Sequence, residues 1–492
     1  LVAAAALARN LGASARRLAI GGAIIAACAS WGLLRTDGIT GEGTSELRWR
    51  WSADSEQRLL AKREPTPIAP APTPAVVPPP AAAPDTSAEM KPVTLPAPVR
   101  APKIVAAEWP GFRGPRRDGV IRGLRIKTDW TAAPPTQIWR RQVGPGWSSF
   151  AVAGDLVYTQ EQRGDFELVA CYKKSTGEPV WIHRDKVRFW ESNGGAGPRG
   201  TPTLGEGRVF ALGATGILNA LDAADGKVLW THDVASETGA KLPGWGFSGS
   251  PLVVDHSVIV AASGHLASYD VETGARRWTA NAGGGSYSSP QLVTIDGVRQ
   301  VVMLSGSGAT SLAAADGKVL WKYAWEGSSI IQPAMTSDGG LLISTGGSNG
   351  GGVGTRRLGL LRGPNDWKVE EKWTSNGLKP YYNDMVVHGD YAYGFDGNIL
   401  SCINLQDGQR KWKGGRYGYG QMLLLADQDL LLVLSEEGEV ALVNAKPAEF
   451  SEVSRFRAMD AKTWNHPAIA GNVLLVRNGE EMVAYKLQPE AN

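Results

Sequence analysis

Residues 220–230 read Ala-Leu-Asp-Ala-Ala-Asp-Gly-Lys-Val-Leu-Trp, and the second half of that phrase returns along the chain. Further copies are Ser-Thr-Gly-Glu-Pro-Val-Trp (175–181), Glu-Thr-Gly-Ala-Arg-Arg-Trp (272–278), Ala-Asp-Gly-Lys-Val-Leu-Trp (315–321) and Gln-Asp-Gly-Gln-Arg-Lys-Trp (406–412). Weaker copies end at Trp373 and Phe456, and an opening one, Thr-Gln-Ile-Trp, ends at Trp139. The aromatics Trp139, Trp181, Trp230, Trp278, Trp321, Trp373, Trp412 and Phe456 are spaced 42, 49, 48, 43, 52, 39 and 44 residues apart. A period of about 40–50 residues marks propellers or solenoids.

One copy shows the physics. Thr201–Leu204, Arg208–Gly213, Ile217–Asp222 and Lys227–His232 are four short runs separated by Gly-containing turns, a meander of four antiparallel strands. So small a sheet cannot bury both faces alone, so neighbouring copies must stack on it. The termini decide between a row and a ring. The first copy contains only its fourth strand (137–143), and the last (465–487) contains three strands and no fourth. Joined, they make one blade and close a circle without free sheet edges. Seven internal copies plus this composite predict an all-β, eight-bladed β-propeller of four-stranded antiparallel blades. The long copy ending at Trp373, with its Gly-rich excursion 346–354, is the least regular. The periodic aromatics are expected to pack between blades. Asp225, Asp316 and Asp407, just before the turn glycines, are expected to do turn chemistry and not catalysis.

These phrases resemble the PQQ-like, or quinoprotein-like, β-propeller repeat family over roughly residues 108–488, and are similar in type to its BamB-like eight-bladed scaffolds. The opening Glu-Trp-Pro-Gly-Phe-Arg-Gly-Pro-Arg-Arg-Asp-Gly (108–119) is also similar to the start of such exported propellers. The resemblance implies a protein-binding or assembly scaffold in the cell envelope. The alternative it carries is a quinone-dependent dehydrogenase using PQQ and Ca²⁺. Enzymes of that kind carry adjacent cysteines over the quinone; Cys28, Cys171 and Cys402 are far apart here. No cofactor is therefore expected, and no enzyme. Fold alone does not assign function.

Ahead of the propeller domain (108–488) the chain divides into an N-terminal membrane segment (1–35), a juxtamembrane segment (36–63) and a Pro/Ala-rich linker (64–107). Residues 1–8 read as the tail of something longer. Leu18–Leu34 is an uncharged run closed by Arg35, and its length predicts a transmembrane helix over a signal peptide. The linker composition predicts an extended spacer. A span, a spacer and a propeller predict a domain at a bacterial membrane, on the periplasmic or outer side. Net charge is +3, which gives no argument for nucleic acid. The cysteines match no metal or disulfide spacing; Cys171 and Cys402 are expected as buried thiols. The six histidines form no ligand pair, no metal is expected, and no catalytic set emerges. Gly-Phe-Ser-Gly-Ser (246–250) lacks the strand–turn–helix context of a nucleophile elbow.

The remaining signal lies in the loops before each first strand, at 144–149, 190–202, 244–251, 284–290, 327–333, 379–384, 416–421 and 463–467. Ring closure places all eight on one face. They offer the aromatics Trp147, Trp190, Trp245, Tyr287, Tyr381, Tyr417, Tyr419 and Trp464. Their polar groups include Arg199, Gln332, Asn383, Asn465 and His466. Aromatics with a few polar groups in a concave mouth suit a ligand or peptide site. They equally suit capping of the blade ends. A glycan-recognition module is a further alternative resting on the same aromatics.

Overall fold

A computed structural model describes residues 12–62, 107–347 and 351–490. The alternation read in each copy becomes four strands, as in Thr203–Gly205, Arg208–Leu212, Ile217–Asp222 and Val228–Asp233. Eight such sheets follow one another, and every pairing within a blade is antiparallel. Numbered from Ala151, blades one to seven are continuous in sequence. Blade eight joins Ala468–Ala470, Val473–Arg477 and Glu481–Lys486 to Thr136–Gln142. In that joint Ala484 stands opposite Trp139 and Tyr485 opposite Gln137, so the termini close the ring as expected.

The repeating tryptophan does more than fill space. Its indole N–H donates to a carbonyl in the third turn of the next blade: Trp139 to Lys174 (2.7 Å), Trp181 to Ala223 (3.1 Å) and Trp230 to Val271 (3.2 Å). Trp278 reaches Ala314 (3.1 Å), Trp373 reaches Leu405 (2.9 Å) and Trp412 reaches Lys446 (2.7 Å). In five of these six joints, all but that of Trp412, the ring lies against the turn glycine. A β-carbon on Gly226, whose φ is +75°, would stand 2.5 Å from the Trp181 ring. Glycine is thus required twice, for backbone and for space. The preceding aspartates do only turn work: Asp225, Asp316 and Asp407 accept from the N–H of Lys227, Lys318 and Gln409.

Blade five breaks the rule. Its Gly352–Arg362 and Trp367–Ser375 form an extended hairpin, longer than the matching strands of the other blades. Trp321 donates to Gln300 of its own blade (2.7 Å). Arg356 and Glu371 of blade five instead clasp Tyr323, and Arg356 lies 4.1 Å over the Trp325 ring. Phe456 meets Tyr485 edge-on at 5.0 Å, so the eighth aromatic also joins blades. Cys171 and Cys402 are buried free thiols.

Three features were outside the sequence reading. The opening phrase Glu108–Gly119 is a plug among the innermost strands. Its main chain bonds to Val152, Leu204 and Leu424 of blades one, two and seven. Buried Arg113 donates to the carbonyl of Met385, and Arg117 to those of Ser250 and Pro251. Val120–Ile121 adds a parallel strand inside blade seven. The juxtamembrane segment forms a hairpin, Leu34–Ile39 with Ser45–Trp49, laid on the propeller. Glu56, in the short helix Ser55–Leu60, pairs with Arg188 (2.8 Å).

The expected membrane span is not confirmed. The apolar run is a helix, Ala13–Gly32, that includes Arg16 and Arg17 and stops before Leu33 and Leu34. Among the described residues no helix is long and apolar enough to cross a membrane. The Pro-rich linker lies outside the described residues save for Ala107, as does part of the Gly-rich excursion.

Two measurements test this packing. Gly226→Ala and Gly389→Ala both impose positive φ on alanine, but only Gly226 faces an indole; nothing lies within 4 Å of a β-carbon at Gly389. Denaturant unfolding is expected to show Gly226→Ala the less stable by about 1–3 kcal/mol. Equal losses would mean the indole does not press on the turn. The second concerns Glu167, buried in blade one and accepting from the Ala214 N–H (3.0 Å). Burial raises its carboxyl from 4.5 to about 7, with Asp185 adding to the rise and the Ala214 N–H and Arg199 opposing it. The folded state therefore holds this proton more tightly than the unfolded state. The charge costs nothing below pH 4.5, and its cost grows as pH rises and is complete above pH 7. Glu167→Gln is expected to stabilise the protein at pH 8, by at most about 3 kcal/mol, and not at pH 4. A gain equal at both pH values would contradict the assignment.

Candidate functional site

Two residues before the first strands of blades one to six, the backbone of one blade is tied to a side chain of the next. The N–H of Ser149 donates to Thr201 Oγ1 (2.9 Å), that of Thr201 to Ser250 Oγ (3.0 Å) and that of Ser250 to Ser289 Oγ (2.9 Å). The N–H of Ser289 then donates to Gln332 Oε1 (2.8 Å), and that of Gln332 to Asp384 Oδ1 (2.6 Å). These strand-initial N–H groups have no ladder partner inside their own blade, and the belt satisfies them. Asp384 also faces Arg113 of the plug at 3.6 Å. Burial raises the Asp384 carboxyl, against Arg113, the Gln332 N–H and Arg117. His466, packed edge-on to Phe112, is held neutral: burial and Arg113 lower it to about 3.

Above the belt lies a cavity of about 590 Å³, with Phe112 of the plug among its walls. Aromatic rings form an unbroken chain around it. Trp147 meets Trp464 (4.8 Å between centroids), Trp464 meets Tyr382 (5.3 Å), and Tyr382 stacks on Tyr419 (5.4 Å). From Tyr382 the chain continues through Tyr381 (5.3 Å) to Trp245 (6.3 Å) and Tyr287 (5.1 Å). Rings of this kind gain from mutual edge and offset contacts beyond their burial.

Of the residues expected at the mouth, Trp147, Arg199, Trp245, Tyr287, Gln332, Tyr381, Tyr419, Trp464 and His466 line this cavity. Four do not. Trp190 points outward and is 63% exposed. Tyr417 is buried between blades, its hydroxyl donating to Glu452 (2.5 Å). Asn383 is buried and accepts from the Tyr381 N–H. Asn465 staples its loop by donating to Ser148 (2.7 Å) and Gly146 (3.2 Å). In Tyr-Gly-Tyr (417–419) the left-handed Gly418 (φ +60°) turns the chain between the two rings, and only Tyr419 faces the cavity. Arg199 is at the wall but spent. It donates to Glu191 (3.0 Å) and to the carbonyls of Gly195, Ala196 and Gly197, folding the 190–199 loop. Burial lowers it to about 10, against Glu191 and Glu167. Tyr382, Asp384, Gln421 and Glu191 also line the cavity; all four lie in the loops named above without being singled out. Ser248 of the 246–250 motif donates to the Tyr287 carbonyl, and its chain runs on into a strand, not a helix.

The donors do not suit a quinone with a hard cation. Of the cavity carboxylates, Asp384 faces Arg113, Glu191 faces Arg199 and Glu42 accepts from Asn398. Among the described residues no group of three His, Cys, Asp or Glu side chains is arranged to hold a metal ion. Calcium sites take several oxygen ligands with uncompensated charge.

Comparison with known proteins agrees with the repeats. A family model described as outer membrane protein assembly factor BamB matches residues 131–240 and 187–414. Outer membrane protein assembly factor BamB of Yersinia pestis is 25% identical over 324 residues, covering 63% of this chain and 70% of its own length. The protein of the same name from Shewanella oneidensis is 35% identical over 112 residues, 22% of this chain and 26% of its own. Among solved structures, BamB from Moraxella catarrhalis matches with a TM-score of 0.52 at 16% identity, over 73% of this chain and 99% of that one. Quinohemoprotein alcohol dehydrogenase from Comamonas testosteroni matches with a TM-score of 0.52 at 13% identity, over 78% and 81%. At these identities the structural likenesses establish the fold alone.

Proposed function

The chain belongs to the family described as outer membrane protein assembly factor BamB, and we propose from this that it is a non-catalytic, protein-binding scaffold of the bacterial envelope whose aromatic mouth seats its partner. One observation carries the reading: seven rings from six blades form one continuous surface around a cavity, while Arg199 and Gln332 beside them are already consumed in holding loops. Such a surface rewards aromatic and apolar contact. A glycan would need free hydrogen-bonding groups, and Arg199 and Gln332 have spent theirs. A quinone-dependent oxidation is disfavoured by the paired carboxylates.

The helix Ala13–Gly32 buries none of its residues, and Leu18, Ile25 and Trp31 are more than 60% exposed. We assign it to contact with the membrane, short of a span, with the propeller on the periplasmic side.

Crosslinking in native membranes tests the scaffold role. Trp245→Ala combined with Tyr381→Ala removes two rings while leaving the belt and the interblade indoles in place. The variant is expected to fold and to lose most of its protein crosslinks, since truncating central aromatic anchors costs about 2 kcal/mol or more each. Unchanged crosslinks would show that the partner sits elsewhere.

A further inference from the structure

The mouth is not open. The tip of the N-terminal hairpin, Thr40–Gly43, sits over the cavity and forms part of its wall. Three main-chain contacts fix it. The N–H of Gly41 donates to Glu436 Oε1 (2.5 Å), the N–H of Ile39 to the Asn193 carbonyl (3.2 Å), and Lys462 Nζ to the Ile39 carbonyl (2.6 Å). Glu42 adds one side-chain contact, to Asn398. The receiving carboxylate is held ready from behind. Trp464 Nε1 donates to its Oε1 (2.9 Å) and the Tyr419 N–H to its Oε2 (3.0 Å). Position 41 admits no side chain: a β-carbon there would stand 2.3 Å from the Tyr419 ring and 2.6 Å from the Tyr382 hydroxyl.

Two facts make this occupant replaceable. The hairpin has no core of its own: Leu47 and Trp49 are about half exposed, and two-stranded hairpins are marginal in water. Its rim contacts, Glu46 with Lys462 and Arg48 with Glu480, are part-exposed ion pairs. It also leaves a bond unmade. The buried Tyr382 hydroxyl beside Gly41 has no hydrogen-bond partner among the described residues. A tip that offered it an acceptor would gain a contact that the resident one lacks.

We infer that the mouth is a receptor for a glycine-bearing hairpin tip of a partner protein, read mainly through its backbone, and that Thr40–Gly43 is a built-in competitor for the same seat. The inference rests on the scaffold reading above and supplies the kind of partner segment it takes. A competitor within the chain lowers the apparent affinity for any partner by the fraction of mouths left open.

The test uses the full chain and a labelled synthetic peptide of residues 34–51. Gly41→Leu in the protein collides with Tyr419 and expels the tip while touching no blade, so its unfolding midpoint should match that of the unmodified chain. Deuterium uptake across residues 36–47 is expected to rise in this variant. The peptide is expected to bind it at least about tenfold more tightly than the unmodified protein. The same peptide carrying Gly41→Leu should not bind. Unchanged deuterium uptake, equal peptide affinity for both proteins, or no binding to either would overturn the inference. Should the peptide fail while the Trp245 and Tyr381 variant still loses its membrane crosslinks, the scaffold role stands and the competing hairpin falls.

Discussion

The structure depends on one contact made again and again: an indole laid flat on the turn of the next blade, its N–H on a carbonyl of that turn. Each four-stranded sheet is too small to stand alone, so stability resides in the joints between sheets. The indole supplies apolar area and a directed bond at once, and the turn glycine makes room for it. Where blade five lengthens its third and fourth strands, Trp321 turns back into its own sheet and an arginine–tyrosine–glutamate clasp replaces the joint. A second joint, Phe456 against Tyr485, has a ring and no indole bond. The ring tolerates these two substitutes because the remaining joints and the composite eighth blade still hold it shut.

Closure has a functional consequence. Eight loops scattered over more than three hundred residues arrive on one rim, and the belt from Ser149 to Asp384 fixes their height. The plug at Glu108–Gly119 blocks the channel from within, with Arg113 answering the belt's one carboxylate. What remains is a shallow aromatic chamber and not a pore. Tyr382 is its node, touching Trp464, Tyr381 and Tyr419. The chain's own hairpin then lies across it, held by backbone and by rim charges.

Much of this was legible in the sequence. The repeat reported the blade, the unequal termini reported the closure, and the loop positions reported the rim. These are local or periodic signals, and strand alternation carries them faithfully. What was not legible depends on long-range placement. Arg199 and Gln332 look like ligand groups until the structure shows their bonds already taken by neighbouring loops. Tyr417 and Tyr419 are indistinguishable until the turn at Gly418 is seen. The plug and the hairpin carry no repeat, so nothing in their composition tells where they dock. The length of the uncharged run Leu18–Leu34 points to a span, but the helix begins earlier, takes in Arg16 and Arg17, and ends at Gly32.

The central claim is that the rim gathered by closure, and not the outer wall of the ring, meets the partner. A photocrosslinking phenylalanine analogue placed at Tyr287 on the rim and, separately, at Val453 on an outer strand of blade seven tests this most directly in living cells. The expected result is a discrete protein adduct from position 287 and none from 453. An adduct from 453 alone would contradict the account.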